Sequence, residues 1–466
     1  MPRSELTELY LKEAARRAMA PGELIEVAKR ETDLTATSYF GRCMTRPVFL
    51  GHAEQAQLAA DLDHLFQTLT TLPGRLFGGD FAAFARAVGL TEDQVTAVLR
   101  SRAPATARMG RADLYADASG FRLMELNIGS TTGGGDNAML NRAMLAHPPL
   151  AEFTQAHSLT YVDTLAEVAK TIMAECGISA HDGSLVAAVD WPPAADEYSA
   201  LLHTSAAELA RLGIELVPCH LGHLSVHDQR VWLNGRPVDV IYRLFMIEDL
   251  LHPDGPRLID PVLGAAERGE VKIFTPMDSE VYGSKGALAL LSDEANRHLY
   301  TAAELASLDR LLPWTRMVRS GSVTVDGERV DLLEYAAAER ENLILKPTAM
   351  HGGLGVTAGW LTETQEWNQG LRTHLDGPYV LQRRIRPVPE LFPGEAGLEP
   401  WVLTWGVFVC GPGYGGVLIR GTTDPDAGAV NMATGASATC CFHEQAPASP
   451  AKASPAEASP AEARRR

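Results

Sequence analysis

Two alternating runs, MGRADLYAD and GFRLMELNI, flank a turn at Asp117, Ala118, Ser119 and Gly120, and the second run empties directly into GSTTGGGDN. A period of two points to a β-hairpin rather than a helix, and the four turn residues are the kind that reverse a chain. Side chains alternate faces along a strand. Leu123, Glu125 and Asn127 are therefore expected on one face, with Arg122, Met124, Leu126 and Ile128 on the other. Two oxygen ligands, from Glu125 and Asn127, then point the same way. The Gly, Ser and Thr residues that follow offer bare amides and hydroxyls that can approach an anion closely. An oxygen pair beside such a loop suits Mg²⁺ held jointly with phosphate. A strand with a polar edge ending in a loose glycine turn is the competing reading of the same residues. In either case Arg111 opens the first strand and falls at the end of the hairpin where Asn127 and the loop emerge.

The chain has 466 residues, too many for one simple core, so two or three subdomains are expected. With 46% hydrophobic and 21% charged residues it has the composition of a globular protein. The formal net charge of -17 disfavours a nucleic-acid partner, which would need a concentrated basic surface, but leaves room for a local basic pocket. No apolar run approaches membrane-spanning length, and the first residues lack a basic segment followed by an apolar one. A cytoplasmic location and no membrane partner are expected. The six cysteines, at 43, 176, 219, 410, 440 and 441, show no CxxC spacing and no metal-ligand cluster, so reduced thiols are the simplest expectation.

In chain order, residues 1–105 read as a helical region, with apolar positions at helical spacing and Thr91 as an N-cap before EDQVTAVLRSR. Residues 106–182 carry the hairpin, the glycine loop and two helices. Residues 183–265 read as an α/β lobe: SLVAAVDW as a buried strand, EYSALLHTSAAELARLG as a helix closed by Gly213, IELVPCH as a second strand, and VWLNGRPVDVIYRLF as a hairpin around Asn234 and Gly235. No GxGxxG follows its first strand, where DWPPAADE places two prolines, so a dinucleotide site there is disfavoured. Residues 266–443 form the last globular block. Lys285 opposes the dipole of the helix it starts unless it meets an anion. Lys346 projects from the apolar strand ENLILKP, where a charge is costly without an anionic partner. HGGLG links that strand to the next, GPYVLQRRIRP runs from a strand into a hinge, and WVLTWGVFVCGPGYGGVLIRGTTD reads as a hairpin turning at Gly411 to Gly416 with Arg420 at its far end. Residues 444–466 repeat a Ser-Pro-Ala unit, cannot bury a core and are expected to be a disordered tail. Taken singly, Lys285 reads more readily as a solvated lysine and Arg111, Arg243 and Arg420 as surface or salt-bridging groups, while the glycines read as well as a tight turn. No Walker A, GxSxG, HExxH or CxxC motif is present.

As an ordered set these segments resemble the ATP-grasp superfamily in its circularly permuted form, that of the eukaryotic-type glutathione synthetases and, more distantly, the glutathionylspermidine synthetases. The resemblance covers about residues 106–443. Here Glu125-Leu126-Asn127 precedes both lysines, which is the permuted order. RADLY and MELNIGSTTGG are similar to the family's Arg-Ser-Asp-Tyr and Glu-Ile-Asn-Thr-x-Ser-x-Ser-x-Gly-Gly. The resemblance implies an α/β fold with an N-terminal helical region and an inserted α/β substrate lobe. It implies Glu125 and Asn127 on Mg²⁺, and Arg111, Ser130, Thr132, Arg243 and Arg420 on substrate, with Arg243 offset from the family's VVYFR. It further implies Lys285, Lys346, Gly352, Gly353, Gly355 and the hinge Gln382, Arg383 and Ile385 on ATP, and Lys285, Lys346 and Arg420 as the catalytic cations.

The activity implied is ATP-dependent amide formation through an acyl phosphate, joining a small carboxylate to an amine, with a homodimer among the assemblies the family allows. A kinase on the same scaffold and a nucleotide-binding protein without turnover are the alternatives. One departure stands out. The family places a metal-binding glutamate just before its glycine loop, whereas this chain has Met350-His351, so water or another acid such as Asp424 would complete the shell.

Overall fold

The computed structural model describes residues 5–102, 108–129, 132–350, 352–411, 413–427, 430–432 and 434–446. Ser130 and His351 therefore lie outside the described residues, as does the tail from 447 onward. The architecture is mixed α/β, as the sequence implied.

Its centre is an eight-stranded sheet in the order Val48–Leu50, Ser437–Glu444, Gly413–Thr422, Gly397–Cys410, Met109–Asp117, Gly120–Ile128. Glu390–Gly394 pairs onto Gly397–Cys410, and Leu159–Thr160 onto Ser437–Glu444. Every pairing is antiparallel except that of Val48–Leu50 with Ser437–Glu444. Alternation along the strands feeds two cores. Val407 and Val409 join one that is covered by the helices His52–Phe77, Phe81–Ala87 and Glu92–Ser101. Phe408 and Cys410 join the other, under Asn137–Met144, Pro148–Ala156 and Thr164–Cys176. Thr91 caps Glu92–Ser101 as expected, accepting from Gln94 N while Gln94 reaches back. Val48–Leu50, within the stretch read as helical, is instead a strand. Three consecutive buried apolar residues suit the sheet edge that Ser437–Glu444 would otherwise leave open.

A second sheet is parallel, in the order Lys272–Phe274, Val240–Arg243, Leu185–Asp190, Glu215–His220. Leu185–Asp190 is nearly all apolar because both faces are covered. The turn at Asn234 and Gly235 closes only Arg230–Leu233 on Arg236–Pro237, while Val240–Arg243 leaves that hairpin for the parallel sheet. A third sheet, in the order Thr315–Met317, Tyr379–Arg383, Leu343–Pro347, Thr357–Ala358, is antiparallel and has its own core around Trp314, Leu345, Trp367 and Leu381. Two expectations need adjusting. Gly397–Cys410 is longer than the hairpin read from Trp401, and its partner restarts at Gly413, so the turn is tighter than 411–416.

The hairpin Met109–Asp117 and Gly120–Ile128 also differs in one detail that matters. Asp113 pairs with Glu125, but Leu114 pairs with Leu123, so Met124 is a bulge. Leu123 consequently turns into the core with Leu114 and does not share a face with Glu125. Met124 and Glu125 instead both face the space between the large sheet and the third one.

Candidate active site

That space is a cleft of about 200 Å³, open to solvent. The large sheet contributes Arg111, Asp113 and Tyr115, which alternate onto the cleft face of one strand, with Glu125 and Asn127 paired opposite the first two. Arg420 comes from the next strand but one. Gly406, which pairs with Asp113, leaves the room they occupy: a Cβ there would stand 3.0 Å from Arg111 Cδ and 3.2 Å from Asp113 Oδ1. The third sheet contributes Lys346, Gln382 and Arg383, and the helix Lys285–Ser292 contributes its first residue. Five cations (Arg111, Lys285, Lys346, Arg384 and Arg420) thus line the cleft with two carboxylates, Asp113 and Glu125, in a protein whose net charge is -17. Such an excess of positive charge suits an anion.

Asp113, only 2% exposed, is the hub of the sheet side. Arg111 donates to it through Nε (2.8 Å) and Nη2 (3.0 Å), Arg420 Nη2 lies 2.7 Å from its Oδ1, and Asn127 Nδ2 donates to its Oδ2 at 3.3 Å. Sequence reading missed this residue. The signal was its place two residues after Arg111, on the same strand face. Arg111 also donates to Gly133 O, which ties it to the glycine loop. Arg420, 7% exposed, keeps a buried Nε with no hydrogen-bond partner among the described residues, and its Nη2 meets Asp113 as an ion pair only.

On the opposite wall Lys346, 8% exposed, donates to Gln382 Oε1 (2.8 Å) and Met124 O (3.3 Å). Burial pulls its ammonium down to about 8; Glu125 nearby resists that fall and Lys285 adds to it. Lys285 Nζ lies 3.2 Å from Glu125 Oε2 and donates to Met350 O at 3.0 Å, so one lysine touches both the oxygen pair and the root of the glycine loop. Ser284 caps its helix by accepting from Gly286 N. Gly352 and Gly353 line the cleft at positive φ, and Asn431 Nδ2 reaches across to Gly352 O at 3.2 Å. Gly355 stands behind them, against Pro347, Tyr379 and Met350.

Several expected roles shift. Gln382 is buried and holds Lys346 with its side chain, while its Nε2 donates to Thr315 Oγ1. Arg383 turns its guanidinium to Asp326. Ile385 joins Met124, Tyr115, Val402 and Val430 in an apolar wall suited to a flat ring. Thr132 does not line the cleft, because its hydroxyl donates to Gly129 O inside the loop. Arg243 does not line it either. It is 0% exposed, donates to Thr275 O, Phe245 O and Pro276 O, and pairs with Glu280. Its strand ends against three carbonyls and a carboxylate that absorb the guanidinium before it can reach the opening.

The Mg²⁺ donor set can be judged from the same contacts. Asn127 commits its Nδ2 to Asp113, which leaves Oδ1 as the atom able to ligate, beside the Glu125 carboxylate two residues earlier. Two oxygens fit a metal that takes its remaining ligands from phosphate and water. Asp424 does not supply a third, since it lies outside the cleft lining and accepts from Asp426 N.

No family model matches the chain and no curated protein matches it. Solved structures do. A glutathione synthetase-like effector from Globodera pallida, in its apo form, aligns over 91% of this chain and 97% of its own with a TM-score of 0.56 at 13% identity. A protein from Methylobacillus flagellatus, provisionally named as a gamma-glutamylcysteine synthetase, aligns over 83% of this chain and 88% of its own, with a TM-score of 0.46 at 12% identity. At such identities the first of these likenesses establishes architecture alone: this chain has a fold related to that of the glutathione synthetase-like effector.

Proposed function

We propose that the chain is an ATP-dependent carboxylate-amine ligase of the permuted ATP-grasp kind, making an amide bond on a small acid. The observation that carries this reading is the meeting of Glu125 and Asn127 with Lys285 and Lys346, from segments about 160 and 220 positions away, around a single basic cleft. Lys285 and Lys346 are placed to hold the phosphates of ATP, and the apolar wall at Ile385 to hold its base. Arg420, with its unpartnered Nε, receives the substrate carboxylate, and Asp113 fixes the angle at which it does so. Mg²⁺ bound by Glu125 and Asn127 would supply neutralisation of the triphosphate. The Gly352–Gly353 segment and Asn431 close over the cleft and keep water from an activated acyl group. Catalysis in such a site is positioning and electrostatics, with fixed cations aimed at developing negative charge.

The test is a screen of amino acids, dipeptides and polyamines for phosphate release that requires acid and amine together, with mass spectrometry of the product. A phosphorylated acid that accumulates without any amine requirement would establish a kinase instead. MgATP stabilisation without turnover on any pair would establish a binding protein. Glu125→Ala should lower turnover by at least 100-fold while leaving the circular dichroism spectrum intact; wild-type rates in that variant would place the nucleotide elsewhere.

A further inference from the structure

Asn431, which reaches Gly352 across the mouth of the cleft, sits in a turn bonded to itself. Ala436 N donates to Asn431 O (3.0 Å), Gly435 N donates to Met432 O (3.3 Å), and Thr434 N donates to Asn431 Oδ1 (2.8 Å). The turn thereby holds one end of the Asn431 carboxamide and leaves Nδ2 to bond Gly352 O. Arg42 grips this turn from a segment 390 and 394 positions earlier in the chain. Its Nε donates to Ala436 O at 3.0 Å and its Nη2 donates to Met432 O. A guanidinium carries its donors in a rigid planar fork, so two bonds from one group fix both the place and the tilt of the turn.

Arg42 is itself mounted on ordered parts of the molecule. Its own carbonyl accepts from Ala438 N (3.0 Å) and Met44 N donates to Ala438 O (2.9 Å), which seats Arg42, Cys43 and Met44 beside the start of Ser437–Glu444. Ser38 Oγ donates to Asp136 Oδ2 (3.0 Å), and Asn137 Nδ2 donates to the Tyr39 hydroxyl (3.4 Å), just past the glycine loop. The Arg42 guanidinium also lies over the Phe40 ring, 5.1 Å from its centre. Arg42 does not line the cleft. Any influence it has on a ligand there passes through the turn.

We infer that Arg42 is a positioning residue for the cleft: by clasping the carbonyls of Met432 and Ala436 it keeps Asn431 latched to Gly352, and so governs how long the site retains its nucleotide. The inference rests on the ligase reading for the identity of that ligand and on the hydrogen bonds alone for the clasp. Its chemistry is retention. A cover that lifts early frees the nucleotide and admits water to an activated acyl group.

Two measurements on the full chain test this. In hydrogen exchange of the free protein, the peptide containing Gly435 and Ala436 should exchange about tenfold faster or more in Arg42→Ala than in wild type, while the buried strand Leu343–Pro347 is unchanged. Arg42→Lys, which keeps the charge but not the fork, should fall between the two. Wild-type exchange in Arg42→Ala overturns the clasp; faster exchange throughout the protein in both variants makes Arg42 a general scaffold residue and overturns it equally. The second measurement is release of a fluorescent MgATP analogue, chased with unlabelled MgATP in stopped flow. Arg42→Ala and Asn431→Ala should each release it about tenfold faster or more, and the double variant no faster than Asn431→Ala, because the first residue acts through the second. Effects that multiply, or unchanged release in Arg42→Ala, overturn the assignment. If the wild-type chain binds no MgATP analogue, the ligase reading fails by itself and hydrogen exchange still decides the clasp.

Discussion

At the level of single residues, Lys346 ties the electrostatics of the cleft to a measurable pH dependence. Its ammonium titrates near 8 in the free protein, well below the usual lysine value, because burial disfavours the charge. A bound phosphate favours the charge and raises that value, so anion binding takes up a proton once the pH exceeds about 8. MgATP affinity is therefore expected to be flat below pH 7.5 and to fall by up to about tenfold per pH unit between 8 and 9.5. Lys346→Arg should weaken binding but flatten that slope, as followed by calorimetric titration. Asp113 offers a different test. Asp113→Asn removes the carboxylate shared by Arg111 and Arg420 and should cost about 3 kcal/mol of stability in urea unfolding, because two buried guanidinium groups lose their counter-charge. Legibility at this scale was uneven for a physical reason. Lys285 and Lys346 could be read because each sits where a charge is costly without a partner, Glu125 because alternation sets it beside Asn127, and Arg420 only through the resemblance; the cleft brings the four together. Arg243 looked equivalent, but its outcome was decided by the carbonyls of Thr275, Phe245 and Pro276, which lie about 30 positions away or at a chain reversal that no local pattern reports.

Among the elements, the hairpin and the strand, loop, strand passage through Lys346 were recoverable from alternation and glycine spacing. The bulge at Met124 was not. An inserted residue leaves composition unchanged and only reassigns faces, so a strict period of two put Leu123 beside Glu125 when the core claims Leu123. The short strand Val48–Leu50 escaped notice because three apolar residues cannot be told from a helix fragment by periodicity. Element packing also sets the distance between Lys285 and Glu125. The helix Asp278–Gly283 presses on Gly120–Ile128 so closely that a Cβ on Gly283 would stand 2.8 Å from Leu126 O and 3.2 Å from Ile128 N. Gly283→Ala must push this helix, and Lys285 after it, away from the hairpin. The expected result is a loss of about 2 kcal/mol in chemical denaturation and a kcat lowered at least tenfold. A fully active Gly283→Ala would show that the Lys285–Glu125 separation is not set there.

Over the whole molecule, the large sheet is assembled from residues 48–50, 109–128, 159–160, 390–394, 397–410, 413–422 and 437–444, so both halves of the chain must be present before its centre can close. The helical first hundred residues are part of that closure, since Val48–Leu50 covers an edge and His52–Phe77 covers a core. Removing residues 1–51 should therefore leave Ser437–Glu444 with an open apolar edge and give aggregated rather than folded protein, as judged by the soluble fraction and size-exclusion profile. The order of the motifs along the chain was legible because it needs only sequence. Which segments share a sheet was not, because strand pairing across more than 300 positions leaves no periodic trace.

The contact between Asn431 and Gly352 has a mechanical consequence. It fastens the two covering segments to each other, like a pair of shutters latched at the middle, while Lys285 holds the root of one and Val430 seats the other against Tyr115 and Val402. On the ligase reading the two segments are expected to part together, since opening either breaks the bond between Asn431 and Gly352.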